Sequence, residues 1–363
     1  MLFRSDESSD MSHKEQLALC VRYVDKVGRV CERFLGLIHV SDTTSLSLKV
    51  AIISLLKNCH LSPTQIRGQG YDGASNMKGE IKGLKTLIMK ESPCAYYIHC
   101  IAHQLQLVLI AVAKENESCV CFFDNVSYLF NIIGVSYKRH DMLRDVRAQM
   151  VLEALEAGEI ESGSGLNQEM GLSRPGDTRW GSHFKTICHI VDMYPTIVEV
   201  LVRIGKDPSQ KGEWTRIRGV SQAFESFDFV FNLNLILVIL GHTNDMSQAL
   251  QKKDQDIVNA MALVALAKNK LRHMRSHGWE GFLAKVTLFC KKHRIEVPSP
   301  DDQYVAHGRS QRYYEKQTND DRYRREVFLG VLDQIIQELD NRFDEVNMEL
   351  FICRTSIHTQ CSG

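Results

Sequence analysis

No stretch of this sequence is apolar for long enough to cross a bilayer. The most apolar run, "FVFNLNLILVIL" at 229–240, covers twelve residues and holds two Asn, whereas a spanning helix needs roughly 20. An excess of charge of either sign is also missing. Lys plus Arg number 44 and so do Asp plus Glu, so the net charge is zero. No global basic field announces nucleic acid, and any such contact has to come from local patches. No two Cys stand at CxxC spacing, and eleven Cys scattered through 363 residues do not make a disulfide scaffold. They read as reduced intracellular thiols. The N-terminus, "MLFRSDESSD", is too charged for a signal peptide. Internal repeats and long heptads are absent too. What is left is a folded intracellular protein of one large domain or two, with no membrane partner.

The first 115 residues alternate strand and helix patterns. "EQLALCVRYVD" at 15–25 and "RVCERFLGLIHV" at 29–40 read as strands joined by a turn at Gly28. Ser41, Asp42 and Thr43 open a helix whose apolar face carries Leu48, Ile52, Leu55 and Leu56. "IRGQGYD" is a short strand and "MKGEIKGLKTLIMKE" one amphipathic helix. "AYYIHC" is another strand, and "AHQLQLVLIAVAKE" a helix. With "MLFRSD" as a first, stub-like strand, the order is β-β-β-α-β-α-β-α. Tight connections give an antiparallel meander, and right-handed crossovers add the later strands in parallel. This is the element order of a ribonuclease-H-like mixed sheet of α/β class, with first and fourth strands adjacent. From residue 116 to 363 the patterns are helical, at 119–150, 181–204, 220–241, 245–277, 279–293 and 321–352. A loop near 158–176 and a linker near 296–320 interrupt them.

Four groups carry candidate chemistry. Asp6 and Asp72 each follow a strand pattern, and the strand order would set them at the carboxyl edges of neighbouring strands, about 5 Å apart in backbone. Two such carboxylates suit Mg²⁺ or Mn²⁺ at a phosphodiester. Turn formation and helix capping are the ordinary alternative. Glu7 and Asp10 are expected beyond the strand end and so make poorer ligands. In "HCIAHQL", Cys100 and His103 open a helix behind His99. A zinc site there lacks a second ligand pair at finger spacing, which leaves a buried Cys with a satisfied His, or a pair at the mouth of the Asp cleft. Arg179 and Trp180, in "RPGDTRWGSHF", suit a stacked base and a phosphate, or a Trp anchoring a helix start. The Arg and Tyr residues of "HGRSQRYYEKQ" and "DRYRREVF" are diluted by acids and read as a solvated face.

Taken in order, "SDESSDMSHKEQLALCVRYVD", "RGQGYDGASNMKGEIKGLK", "YYIHCIAHQLQLVLIAVAK" and "DTRWGSHF" resemble the hAT-superfamily transposase-like proteins. "RYRREVFLGVLDQIIQELDNRFDEVNMEL" adds to the likeness. Within that superfamily the chain resembles the group related to zinc finger MYM-type protein 1, which includes plant TTF-type zinc-finger-domain proteins. The resemblance implies a ribonuclease-H-like core interrupted by a large helical insertion domain. It also implies a metal-binding Asp-Asp-Glu triad whose first two members fall on Asp6 and Asp72. The family's Cys/Asp-x-x-His motif falls on Cys100 and His103, and its Arg-Trp motif on Arg179 and Trp180. The third acid's Glu-Arg-x-Phe-Ser-like motif is not found before "RTSIHTQCSG", nor is an N-terminal Cys/His finger. The expectation is therefore a truncated, catalytically incomplete transposase derivative able to contact DNA. Mg²⁺ or Mn²⁺ would be its only cofactor. A full-length transposase-like chain or a second copy would be its partner, and the nucleus its place. An active nuclease completed by a partner's Glu and a protein-interaction remnant are the alternatives.

Overall fold

The computed structural model describes residues 1–9, 14–134, 136–161, 163, 171–175, 180–208, 212–250, 252, 257–305 and 317–343. Two compact units divide the chain. One takes in Met1–Leu107, Gln248–Val264 and Leu339–Gly363, and the other Val108–Ser247 and Ala265–Glu338.

The first unit is built on a five-stranded mixed sheet of order β3-β2-β1-β4-β5. Its strands are β1 (Leu2–Ser9), β2 (Glu15–Val24), β3 (Val30–His39), β4 (Gly68–Tyr71) and β5 (Tyr96–His99). β1 and β2 pair antiparallel, as do β2 and β3. β4 lies parallel to β1, and β5 parallel to β4. The α/β, ribonuclease-H-like order read from the sequence is the order observed. Alternation explains the buried face: Leu17, Leu19 and Val21 of β2, with Phe3 of β1, pack on α1 (Ser45–Asn58) through Leu48, Ile52 and Leu56. Thr44 caps α1 by accepting the Ser47 N–H, and Asp42 in turn accepts from the Thr44 N–H at 2.9 Å.

Two local expectations are corrected. β1 is not a stub ending at Asp6. It continues to Ser9, with every residue from Leu2 to Ser9 opposite a β2 partner, so "DESS" is strand despite its poor propensity. Glu7 therefore lies inside the strand, opposite Leu17. Nor is "MKGEIKGLKTLIMKE" one helix. It breaks into α2 (Ser75–Lys78) and α3 (Leu84–Met89) around a turn in which a Cβ on Gly83 would overlap the Gly79 backbone. That backbone contact requires glycine.

α4 (Ile101–Glu115) follows β5. The helices that follow are α5 (Glu117–Ile133), α6 (Tyr137–Glu156), α7 (Trp180–Asp192), α8 (Tyr194–Lys206), α9 (Trp214–Phe224), α10 (Phe227–Leu250), α11 (Ile257–His277) and α12 (Trp279–His293), most of them in the second unit. A last helix is π-wound over Asp321–Leu329 and continues as α through residue 343. Among the described residues beyond 115, the only β pairing is an isolated bridge between Gln303 and Thr318. α10 is twice as long as the apolar run suggests, and by length and composition alone it could cross a membrane. Two thirds of its most apolar stretch, 67%, is instead buried inside the protein. Its buried Asn232 and Asn234 donate back to the Asp228 and Val230 carbonyls at 2.8 and 2.9 Å, which satisfies their amide nitrogens, while Asn232 Oδ1 stays buried and unpartnered.

Candidate metal edge of the sheet

The parallel ladders set the geometry. β1 pairs with β4 as Leu2↔Gly68, Phe3↔Gln69 and Arg4↔Gly70. Carried two residues on, that offset puts Asp6 beside Asp72. β4 pairs with β5 through Tyr71↔His99, and one residue further Cys100 falls beside Asp72. Extended past the last paired residues, the register would set Asp6 of β1 level, in one row, with Asp72 and Cys100, the residues that follow β4 and β5. The row before it holds Ser5, Tyr71 and His99. Successive rows point to opposite faces. Phe3 and Ser5 are buried, and Arg4 and Asp6 are exposed.

Each member has a local reason for its place. Gln69 is wholly buried and donates to the Lys85 and Ala95 carbonyls, while its own oxygen takes the Tyr71 hydroxyl at 2.6 Å. That fixes the last residues of β4. Asp72 turns the chain out of the strand: its Oδ1 accepts the Ala74 N–H at 3.2 Å, and its carbonyl accepts the Tyr97 hydroxyl at 2.9 Å. The turn role weighed against metal binding is therefore present in the fold, and it occupies one carboxylate oxygen. Cys100 is exposed. Its N–H donates to the Tyr71 carbonyl at 3.0 Å, and its carbonyl receives the Gln104 N–H at 2.9 Å, so it opens α4. His103, in the first turn, lies with its ring 5.8 Å from that of His99. Arg179 falls outside the described residues. Trp180 begins α7, and its side chain is likewise outside them.

Two residues gain weight from the structure. Glu7 has a buried Oε1 without a hydrogen-bond partner. Burial first, then the charges of Asp72, Glu15 and Asp6, push its carboxyl up to about 7. His99 has a buried, unpartnered Nε2. Burial, helped by His103, Lys78 and Arg342, holds its imidazole down at about 4 against the pull of Asp72. The His99 ring lies so close over Gly73 that a Cβ there would stand 2.5 Å from Cε1. Sequence spacing demoted Glu7 because the strand was expected to stop before it. Its alternation with Phe3 and Ser5 is the signal that would have placed it on the covered face.

The acids fit a hard divalent cation in donor type. The edge gathers carboxylate oxygens, and burial first, with the charges of Asp72, Glu15 and Asp6 adding to it, raises Glu7. Asp6 and Asp72 would hold Mg²⁺ or Mn²⁺, which would neutralise charge on a phosphodiester. Among the described residues, no three His, Cys, Asp or Glu side chains converge on a metal-sized point.

Residues 3–83 match the family described as "ZMYM1/FAM200, RNase-like domain". The chain is also similar to the human "52 kDa repressor of the inhibitor of the protein kinase", 21% identical over 377 residues, which is 96% of this chain and 45% of that protein. The mouse protein of the same name is 20% identical over 366 residues, again with 96% and 45% covered. The chain thus spans less than half the length of these curated relatives. Together the matches make residues 3–83 similar to an RNase-like domain and most of the chain similar to part of these two repressor proteins.

Proposed function

We propose that this chain is a transposase-derived protein of the group related to zinc finger MYM-type protein 1. On this reading it keeps a two-carboxylate metal edge, contacts nucleic acid there and does not cut it. The observation that carries the reading is the parallel register of β1 and β4, whose last pair Arg4↔Gly70, extended by two residues, would set Asp6 within β1 level with Asp72 just past the end of β4. Catalytic incompleteness rests on the failure of a third metal-ligating side chain to join them among the described residues. Losing one of three metal carboxylates removes most of a two-metal site's power. The relatives' printed name, a repressor, fits a regulatory rather than a cutting role.

Calorimetry with Mn²⁺ should show weak binding that Asp72→Asn abolishes. Unchanged binding in that variant would move the cation elsewhere. Incubation with DNA and Mn²⁺ should give no nicks, whereas nicking by the purified chain would overturn the incomplete reading. Nicking that arises only when a full-length relative is added would favour the partner-completed nuclease. DNA affinity should fall steeply with salt; no DNA binding at low salt would leave the protein-interaction reading.

A further inference from the structure

Away from the sheet edge, the last turn of α11 carries two histidines four residues apart. His273 and His277 are both exposed, and their rings stack with centroids 5.0 Å apart and planes 28° from parallel. Residues at this spacing lie one above the other on a helix. The opposite side of the turn is anchored: Leu271 is fully buried and Met274 nearly so. The backbone that carries the two rings is therefore held in place by packing.

We propose that His273 and His277 form a two-imidazole chelate for a borderline divalent cation of the Zn²⁺, Ni²⁺ or Cu²⁺ class. Imidazole nitrogen suits these ions, whereas the hard Mg²⁺ and Mn²⁺ assigned to the Asp edge prefer oxygen. The local field supports a cation. The C-terminal end of a 21-residue helix carries partial negative charge. Arg275, two residues from each histidine, is neutralised by a two-pronged ion pair with Asp333, whose second contact is 2.9 Å. Two ligands leave the remaining coordination positions to water, so this is an open site and not a closed structural one of four ligands. The ion would cross-link the last turn of α11 just before the Gly278 break into α12.

The test presents Cu²⁺ as its iminodiacetate complex to the full chain, which leaves positions for two adjacent imidazoles and disfavours isolated ligands. Pulsed electron paramagnetic resonance counts the imidazoles on the ion. Two are expected in the parent chain and one in either His273→Ala or His277→Ala, with affinity lowered about tenfold or more by loss of half the chelate. His103→Ala should leave the count at two, which separates this site from the His99–His103 pair and from the Asp edge. One imidazole in the parent, no binding at all, or a count still at two in both α11 variants would overturn the proposal. Asp72→Asn should not alter the signal, so this inference and the metal-edge reading stand or fall separately.

Discussion

The two units treat buried polar groups differently. In the helical unit a half-buried carboxylate, Asp228, takes the Tyr323 hydroxyl at 3.0 Å and that of Tyr304 at 3.5 Å. Arg322 stacks on Tyr304 at 5.2 Å while donating to Ser118 and Glu326. Thr243 donates back to its own helix. The network joins α5, α10 and the π-wound turn with most of its polar atoms paired. Among the described residues, the sheet unit leaves Ser5 Oγ, Glu7 Oε1, His99 Nε2 and Gln104 Oε1 buried and unpartnered, against Asn232 Oδ1 and Arg322 Nε in the helical unit. An unmade hydrogen bond of this kind costs about 1–3 kcal/mol. Four of these six atoms lie on β1, β5 and α4, around the strand ends near Asp72, so the unmet polar cost falls more on the sheet unit than on the helical one.

The sharpest test of that contrast is a core truncation in the helical unit. Phe231 is fully buried among the rings of Phe227, Trp279, Phe282 and Tyr323. Phe231→Ala should destabilise by about 3–5 kcal/mol in chemical denaturation, the usual cost of a large aromatic cavity. A loss below about 1 kcal/mol would deny that the unit is tightly packed.

Gly73→Ala should come next. Its Cβ would press on the His99 ring, and overpacking of this kind costs about 1–3 kcal/mol. Adding His99→Ala should restore most of the loss, and a double variant no more stable than Gly73→Ala alone would show that the ring is not what the glycine spares. Tyr323→Phe should cost about 1–2 kcal/mol by leaving Asp228 one donor short. An unchanged midpoint would mean that the polar network does not carry stability.

The smallest effect is a pH dependence confined to the sheet edge. Glu7 titrates near 7 in the fold against an ordinary 4.5. The folded state therefore holds the extra proton between those values, and stability from Glu7 falls as pH rises from about 4.5 to about 7. His99 titrates near 4 against an ordinary 6.5. There the unfolded state holds the extra proton, and stability rises with pH from about 4 to about 6.5. The two slopes oppose each other through most of the window. Glu7→Gln should expose the rising His99 slope in urea melts across this range, and His99→Asn the falling Glu7 slope. Identical profiles for both variants and the parent would show that neither group is held away from its ordinary titration.

The sheet order was legible because alternation and connection length are local signals. Leu17, Leu19 and Val21 name the buried face of β2, and right-handed crossovers leave few ways to add β4 and β5. The pairing of Asp6 with Asp72 in one row follows from that order. The length of β1 was not legible, since "DESS" has no strand propensity and becomes strand only by borrowing the hydrogen bonds of β2. The break between α2 and α3 was hidden for a similar reason: Gly79 and Gly83 are tolerable in a helix until their backbones touch.

The α/β class, the mixed sheet followed by helices, and the strand ends just before Asp72 and Cys100 were legible in the amino-acid order alone, because periodicity and turn chemistry act over a few residues. The folded arrangement was needed to put Glu7 on the covered face with a raised carboxyl, to lean His99 over Gly73 and to anchor the α11 turn through Leu271 and Met274. Burial, mutual charge and close backbone approach depend on which segments the fold brings together, and spacing along the chain does not encode them.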